Sequence, residues 1–194
     1  MRRAEISRKT KETDIKLLLD MDGQGKLRLN TGIGFFNHML DSMGTHGFMD
    51  LDIQCEGDLY VDQHHSVEDT GIVLGKAIKE ALGNKKGITR YATIHTPMDE
   101  ALTMVSIDLS GRSYLHFNVN MVNPVIGNFE TSLVEEFFRA VVNNAEITLH
   151  INLNYGKNAH HIIESIFKGF GRALNKATRL QSGIDRVIST KGTL

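Results

Sequence analysis

The chain consists of two similar halves, and this duplication is the strongest constraint on how it folds. The segment HHSVEDTGIVLGKAI, which begins at His64, aligns with HHIIESIFKGFGRAL, which begins at His160. Further matched pairs are Glu68/Glu164, Gly75/Gly171 and Ala77/Ala173. A chain with an internal repeat of this kind is expected to form one structural unit twice.

The apolar pattern of each half predicts three strands, a helix, a fourth strand and a second helix. Residues 14–20 and 147–151 alternate between apolar and other side chains, which is typical of half-buried strands. We therefore expect an α+β fold, a duplicated β-β-β-α-β-α unit whose helices pack between two sheets. The expected parts of this single functional domain are residues 1–88 (first repeat), 89–180 (second repeat) and 181–194 (C-terminal tail).

Composition excludes several classes of protein. The formal net charge of −1 argues against nucleic-acid binding, which normally requires a basic excess. The single cysteine, Cys55, has no partner for an internal disulfide. No apolar segment approaches the roughly 20 residues that span a bilayer. We expect a cytoplasmic protein without membrane or nucleic-acid partners.

The paired HHxxE motifs predict metal binding. Asp62 and Asn158 precede the motifs at equivalent places and are good residues to accept a first-turn backbone N–H of a helix. Imidazole and carboxylate ligands without sulfur suit Mn, Fe, Co, Ni or Zn. We expect two neighbouring ions, each sharing ligands from both halves. Further candidate ligands are His38 in GFFNHML and Glu136 in VEEFFRA.

Basic residues outside these motifs are candidates for holding an anion. Arg90 and Arg112 lie at the edges of predicted strands, and Lys168 lies one turn beyond Glu164. In the tail, ISTKG offers the hydroxyl of Ser189 and the ammonium of Lys191. The sequence alone does not show that these residues lie together.

Motifs along almost the whole chain resemble the imidazoleglycerol-phosphate dehydratase family of histidine biosynthesis. The resemblance is carried by RKTKET at 8–13, GFFNHML at 34–40, DQHHSVED at 62–69, PMDEA at 97–101, DLSGRSYL at 108–115, LVEEFFRA at 133–140, YGKNAHHIIESIFKGFGRAL at 155–174 and the closing STKG. It implies a duplicated fold of the ribosomal protein S5 domain 2-like type. It also implies a hydro-lyase that forms imidazole-acetol phosphate, two Mn²⁺ ions per site, and a homo-oligomer of 24 subunits with sites between subunits.

The resemblance also assigns roles to residues. Glu12 matches an acid/base glutamate, and Glu136 stands where many members have a histidine. The implied metal ligands are His38, His64, His65, Glu68, His160, His161 and Glu164, with Glu136 as a further ligand. The implied phosphate-binding residues are Arg90, Arg112, Lys168, Ser189 and Lys191. Two other readings remain: a dinuclear metal-dependent phosphoesterase, and a metal-binding, shell-forming protein without enzymatic activity.

Overall fold

The duplicated unit is visible in the order of the elements. The computed structural model describes residues 2–121 and 123–192, and within these ranges the chain forms ten strands and four helices. The first repeat contains β1 (Arg3–Lys9), β2 (Thr13–Asp20), β3 (Leu27–Asn30), α1 (Gly34–Gly47), β4 (Asp50–Gly57) and α2 (His64–Leu82). The second contains β5 (Tyr91–Met98), β6 (Ala101–Asp108), β7 (Tyr114–Asn118), β8 (Val125–Ile126), β9 (Phe129–Glu130), α3 (Leu133–Ala145), β10 (Thr148–Tyr155) and α4 (Ala159–Thr178). The predicted order is confirmed, except that the sequence pattern did not reveal the β8–β9 hairpin.

Each repeat forms a sheet with the same topology. The strand orders are β1-β2-β4-β3 and β5-β6-β10-β7, and in both sheets only the last pair is parallel. Ile15 pairs with Cys55 in the first sheet, and Ile151 pairs with Val105 in the second. These side chains are buried, as the predicted alternation requires.

The helices pack between the sheets and join the two repeats. α2 contacts β1, β2 and β4, whereas α4 contacts β5 and β6. Across the repeats, α1 packs against α4 and α2 packs against α3. The predicted arrangement of helices between sheets is therefore confirmed. No helix among the described residues is long and apolar enough to cross a membrane.

Matched glycines let these helix pairs approach closely. A Cβ atom on Gly75 in α2 would lie 2.6 Å from the carbonyl oxygen of Val141 in α3. A Cβ atom on its counterpart Gly171 in α4 would collide with the carbonyl oxygen of Met43 in α1. The sequence repeat thus preserves a packing requirement, because a side chain at either position would push the two helices apart.

We predict that Gly75→Ala and Gly171→Ala each destabilise the fold. The overpacking cost of about 1–3 kcal/mol should exceed the helix-propensity gain of about 1 kcal/mol for replacing glycine with alanine. The midpoint of urea unfolding should fall for both variants. Gly34→Ala is the control, since a Cβ atom there meets nothing within 4 Å at the start of α1. Equal midpoints for all three variants would contradict the close-packing argument.

Candidate functional site

A group of side chains that could hold a metal ion lies where α1 meets α4. Nitrogen atoms of His38 and His160 and a carboxylate oxygen of Glu164 all lie within 4.8 Å of one another. Glu164 Oε2 is 3.3 Å from His160 Nε2 and 3.7 Å from His38 Nε2. Two imidazoles and a carboxylate form a donor set that suits a divalent transition-metal ion. The group contains residues of both repeats, as predicted.

The carboxylate of Glu164 is held in a fixed orientation. Its side chain is only 9% exposed, and its Oε1 accepts a 2.6 Å bond from the Lys168 ammonium, which leaves Oε2 facing the histidines. Burial by itself would raise the pKa of Glu164, but Lys168 and then His38 and His160 lower it. The group is thus held as a carboxylate, the form that binds cations.

The α2–α3 contact carries a related group. His64 Nε2 lies 3.3 Å from Glu68 Oε2, repeating the spacing between His160 and Glu164. Glu136, from α3, lines the same cavity of about 410 Å³ as His64. The first histidine of each HHxxE motif therefore faces the glutamate of its own helix and also lies beside a helix of the other repeat.

Polar side chains fix the start of each of these helices. Asp62 Oδ1 accepts a 2.7 Å bond from the backbone N–H of His64, and Asn158 Oδ1 accepts a 2.9 Å bond from that of His160. Both residues make the first-turn contact predicted for them. The backbone of each motif is therefore anchored at its first histidine, which is a candidate metal ligand.

The second histidine of each motif points in another direction. The ring planes of His64 and His65 differ by 85°, and those of His160 and His161 differ by 79°. His65 Nδ1 lies 3.0 Å from Asp58 Oδ2, and His161 Nδ1 lies 2.7 Å from Glu100 Oε2. The Nε2 atoms of His65 and His161 instead lie 3.8 Å from Glu12 Oε1 and from Asp99 Oδ2, respectively, and do not join the groups around His64 and His160 within one chain.

These carboxylates change the acid–base properties of the rings. The Asp58 carboxylate raises the pKa of His65, and the Glu100 carboxylate raises that of His161. In return, His161 and then the backbone N–H groups of Asn158 and Lys157 lower the pKa of Glu100 to about 2. Neither Asp58 nor Glu100 was among the predicted site residues. Aligning Thr13 at the start of β2 with Ala101 at the start of β6 would have matched Glu100 to Glu12.

Glu12 lies in the turn between β1 and β2, near the ring of His65. Its Oε1 is 3.8 Å from His65 Nε2, and its carbonyl oxygen accepts a 3.1 Å bond from the backbone N–H of Asp58. The turn is anchored to α2 because Arg8 and Thr13 both contact the buried carboxylate of Asp69. Glu12 is therefore an exposed carboxylate on a well-anchored turn.

A separate cationic cavity contains most of the predicted phosphate-binding residues. Arg90, Arg112, Ser189 and Lys191 line one cavity of about 970 Å³, together with Arg186 and Thr190, which the sequence analysis did not select. Lys168 does not line this cavity and contacts Glu164 and Met98 instead. A cavity lined by three arginines and a lysine is suited to an anionic group.

Arg90 also connects the tail to the second repeat. Its guanidinium donates to both carboxylate oxygens of Asp108, at 2.9 and 3.2 Å, and to the carbonyl oxygen of Ile188 at 2.5 Å. The backbone of Arg90 is itself left-handed, with φ of 82°. Two backbone hydrogen bonds fix this conformation. The N–H of Arg90 donates to the carbonyl oxygen of Ala177, and the carbonyl oxygen of Arg90 accepts from the N–H of Leu109. Arg90 therefore helps to place Ser189 and Lys191 beside Arg112.

Comparisons with known proteins identify the family. A family profile described as imidazoleglycerol-phosphate dehydratase matches residues 31–174. Imidazoleglycerol-phosphate dehydratase of Oceanobacillus iheyensis is 56% identical over 194 residues, covering 100% of both chains. That of Acetivibrio thermocellus is 58% identical over 193 residues, covering 100% of this chain and 99% of the other.

Solved structures agree with this result. The crystal structure of the Staphylococcus aureus enzyme superimposes with a TM-score of 0.85 at 44% identity, covering 92% of this chain and 99% of the other. That of the Pyrococcus furiosus protein, in complex with (S)-C348, gives a TM-score of 0.84 at 38% identity, covering 97% and 100%. The chain therefore belongs to the imidazoleglycerol-phosphate dehydratase family.

Proposed function

We propose that this chain catalyses the reaction for which its family is named, the dehydration of imidazoleglycerol phosphate to imidazole-acetol phosphate in histidine biosynthesis. The hydroxyl leaves from the carbon beside the ring, a proton leaves from the next carbon, and the resulting enol relaxes to the ketone. The proposal is supported by the presence of both histidine–carboxylate groups and a cationic cavity in a member of this family. The enzyme would work in the cytoplasm.

The donor sets fit divalent ions, with Mn²⁺ proposed from the family resemblance. His38, His160 and Glu164 would hold one ion, whereas His64, Glu68 and Glu136 would hold a second. His65 and His161 would complete sites in neighbouring copies of a homo-oligomer, for which the resemblance implies 24 subunits. When bound, such ions supply positive charge that favours the deprotonated imidazole ring and keeps the ring in place.

The protein side chains divide the remaining tasks. Glu12 would protonate the leaving hydroxyl as a general acid and, once ionised, accept the proton from the neighbouring carbon as a general base. Arg112, Ser189 and Lys191 would bind the phosphate, so that binding energy far from the reacting carbons aligns the substrate. Lys168 would act through Glu164, because its ammonium holds one carboxylate oxygen and leaves the other facing the histidines.

Neither rival reading is supported by the relatives. A phosphoesterase would release inorganic phosphate, and a non-catalytic shell protein would have no use for a general acid/base glutamate. Incubating the full-length, Mn²⁺-loaded protein with imidazoleglycerol phosphate should produce the ketone without phosphate release. Phosphate release without ketone formation would refute the dehydratase assignment.

We predict that Glu164→Ala loses cation binding at the α1–α4 group. The two histidines would then lie near the unpaired ammonium of Lys168, whose charge opposes a cation. Titration followed by the electron paramagnetic resonance signal of free Mn²⁺ should find fewer bound ions per chain, together with loss of turnover. Glu80→Ala, at an exposed position near the end of α2, is the control and should bind Mn²⁺ like the unaltered protein.

We predict that Arg112→Ala weakens substrate binding without affecting the metal. A charge-assisted contact of this type contributes about 1.5–3 kcal/mol, so KM should rise by roughly one to two orders of magnitude. Steady-state kinetics and Mn²⁺ titration on the same preparation would separate the two effects. An unchanged KM, or a parallel loss of Mn²⁺, would show that the cationic cavity does not bind the substrate phosphate.

We predict that Glu12→Gln lowers kcat by roughly two to four orders of magnitude, the usual contribution of a general acid/base. The amide keeps the shape of the side chain but does not take up the proton. Mn²⁺ stoichiometry should stay at the level of the unaltered protein, because Glu12 is outside the proposed ligand sets. A variant with near-normal kcat would remove Glu12 from the proton transfer.

A further inference from the structure

We propose that Asp58 and Glu100 are positioning residues that fix the tautomer and ring orientation of His65 and His161, so that each ring presents an unprotonated Nε2 to a divalent ion. The inference rests on the proposed function, since it assumes that these histidines ligate metal. It adds a task for two carboxylates that lie outside the proposed ligand sets.

The contacts of Glu100 serve two purposes at once. Its Oε2 lies 2.7 Å from His161 Nδ1. Its Oε1 accepts backbone N–H bonds from Lys157 at 3.1 Å and Asn158 at 2.7 Å, immediately before α4 begins. The same carboxylate therefore holds both the ring and the backbone segment that leads into the motif.

Asp58 holds His65 by a different route. Both carboxylate oxygens of Asp58 lie near His65 Nδ1, at 3.1 and 3.0 Å, so the ring is held against the segment that follows β4. The backbone N–H of Asp58 donates to the carbonyl of Glu12. Asp58 thereby links the orientation of the His65 ring to the turn that carries the proposed acid/base residue.

A carboxylate beside Nδ1 favours the imidazole tautomer that carries its proton on Nδ1. A neutral imidazole carries one N–H, and an ionised carboxylate only accepts hydrogen bonds. The proton is therefore favoured on Nδ1, and the lone pair on Nε2 stays free for a metal ion. Carboxylates that contact ligating histidines in this way typically strengthen metal affinity or activity by about 10- to 100-fold.

Glu100→Gln separates this role from a purely structural one. The glutamine oxygen still accepts from Lys157 and Asn158, so the start of α4 remains held. Its amide N–H₂ instead faces His161 Nδ1 and donates to it, which favours the proton on Nε2 and blocks that atom as a ligand. Glu100→Ala removes the contact with His161 and the bonds from the backbone before α4. It should therefore also lower the melting temperature of the metal-free protein.

We expect Glu100→Gln to keep the melting temperature of the metal-free protein and to bind Mn²⁺ about 10- to 100-fold more weakly. The protein would be the full chain, stripped with chelator and titrated with Mn²⁺ by calorimetry. Asp58→Asn should show the same pattern through His65. Glu80→Gln is the matched control and should bind Mn²⁺ normally, because that exposed carboxylate lies outside both groups.

A double-mutant cycle tests whether Glu100 acts through its ring. His161→Ala should weaken Mn²⁺ binding, and adding Glu100→Gln should cause little further loss, because the positioned ring is already absent. Additive losses, or unaltered Mn²⁺ affinity in Glu100→Gln, would overturn the inference. Absence of Mn²⁺ binding by the unaltered protein would instead refute the proposed metal function, so the two failures are distinguishable.

Discussion

Close packing of helices across the two repeats determines where the candidate ligands lie. Gly171 lets α4 approach α1, and this contact places His160 and Glu164 opposite His38. The α2–α3 contact at Gly75 similarly brings α2, which carries His64, against a helix of the other repeat. Because these candidate ligands project from packed helices instead of loops, their spacing is set by the packing of the core.

Duplication supplied matching parts, which then diverged. The first histidine of each motif faces the glutamate four residues later, with the same 3.3 Å separation in both repeats. The second histidines contact carboxylates from non-equivalent positions. His65 contacts Asp58, which follows β4, and His161 contacts Glu100, in the turn between β5 and β6. Glu12 and Glu100 occupy equivalent turns but differ in their contacts. Both side chains are exposed, but Glu12 lies 3.8 Å from an imidazole nitrogen, whereas Glu100 accepts hydrogen bonds from an imidazole and from the backbone.

Sequence periodicity and the repeat predicted the layered fold, the helix starts and the sharing of candidate ligands between the two repeats, but not which of those ligands lie together. They did not predict the direction of His65 and His161, because side-chain torsions are not fixed by motif spacing. The cationic cavity brings residue 90 to residues 186–192, a proximity that depends on how the tail returns to the second repeat. Lys168 was predicted with that set because of its charge, but its ammonium contacts Glu164 on α4. The β8–β9 strands are too short to show alternation.

The β8–β9 hairpin makes the two repeats structurally unequal. Asn128 and Glu130 line the cavity beside His64, while Val125 and Ile126 lie beside His160. One hairpin in the second repeat thus lines the cavities that contain the first histidine of each motif. A first repeat expressed alone would lack Asn128 and Glu130, which line the cavity that contains His64. The two halves are therefore not interchangeable copies, because the hairpin of the second repeat lines a cavity that contains a histidine of the first.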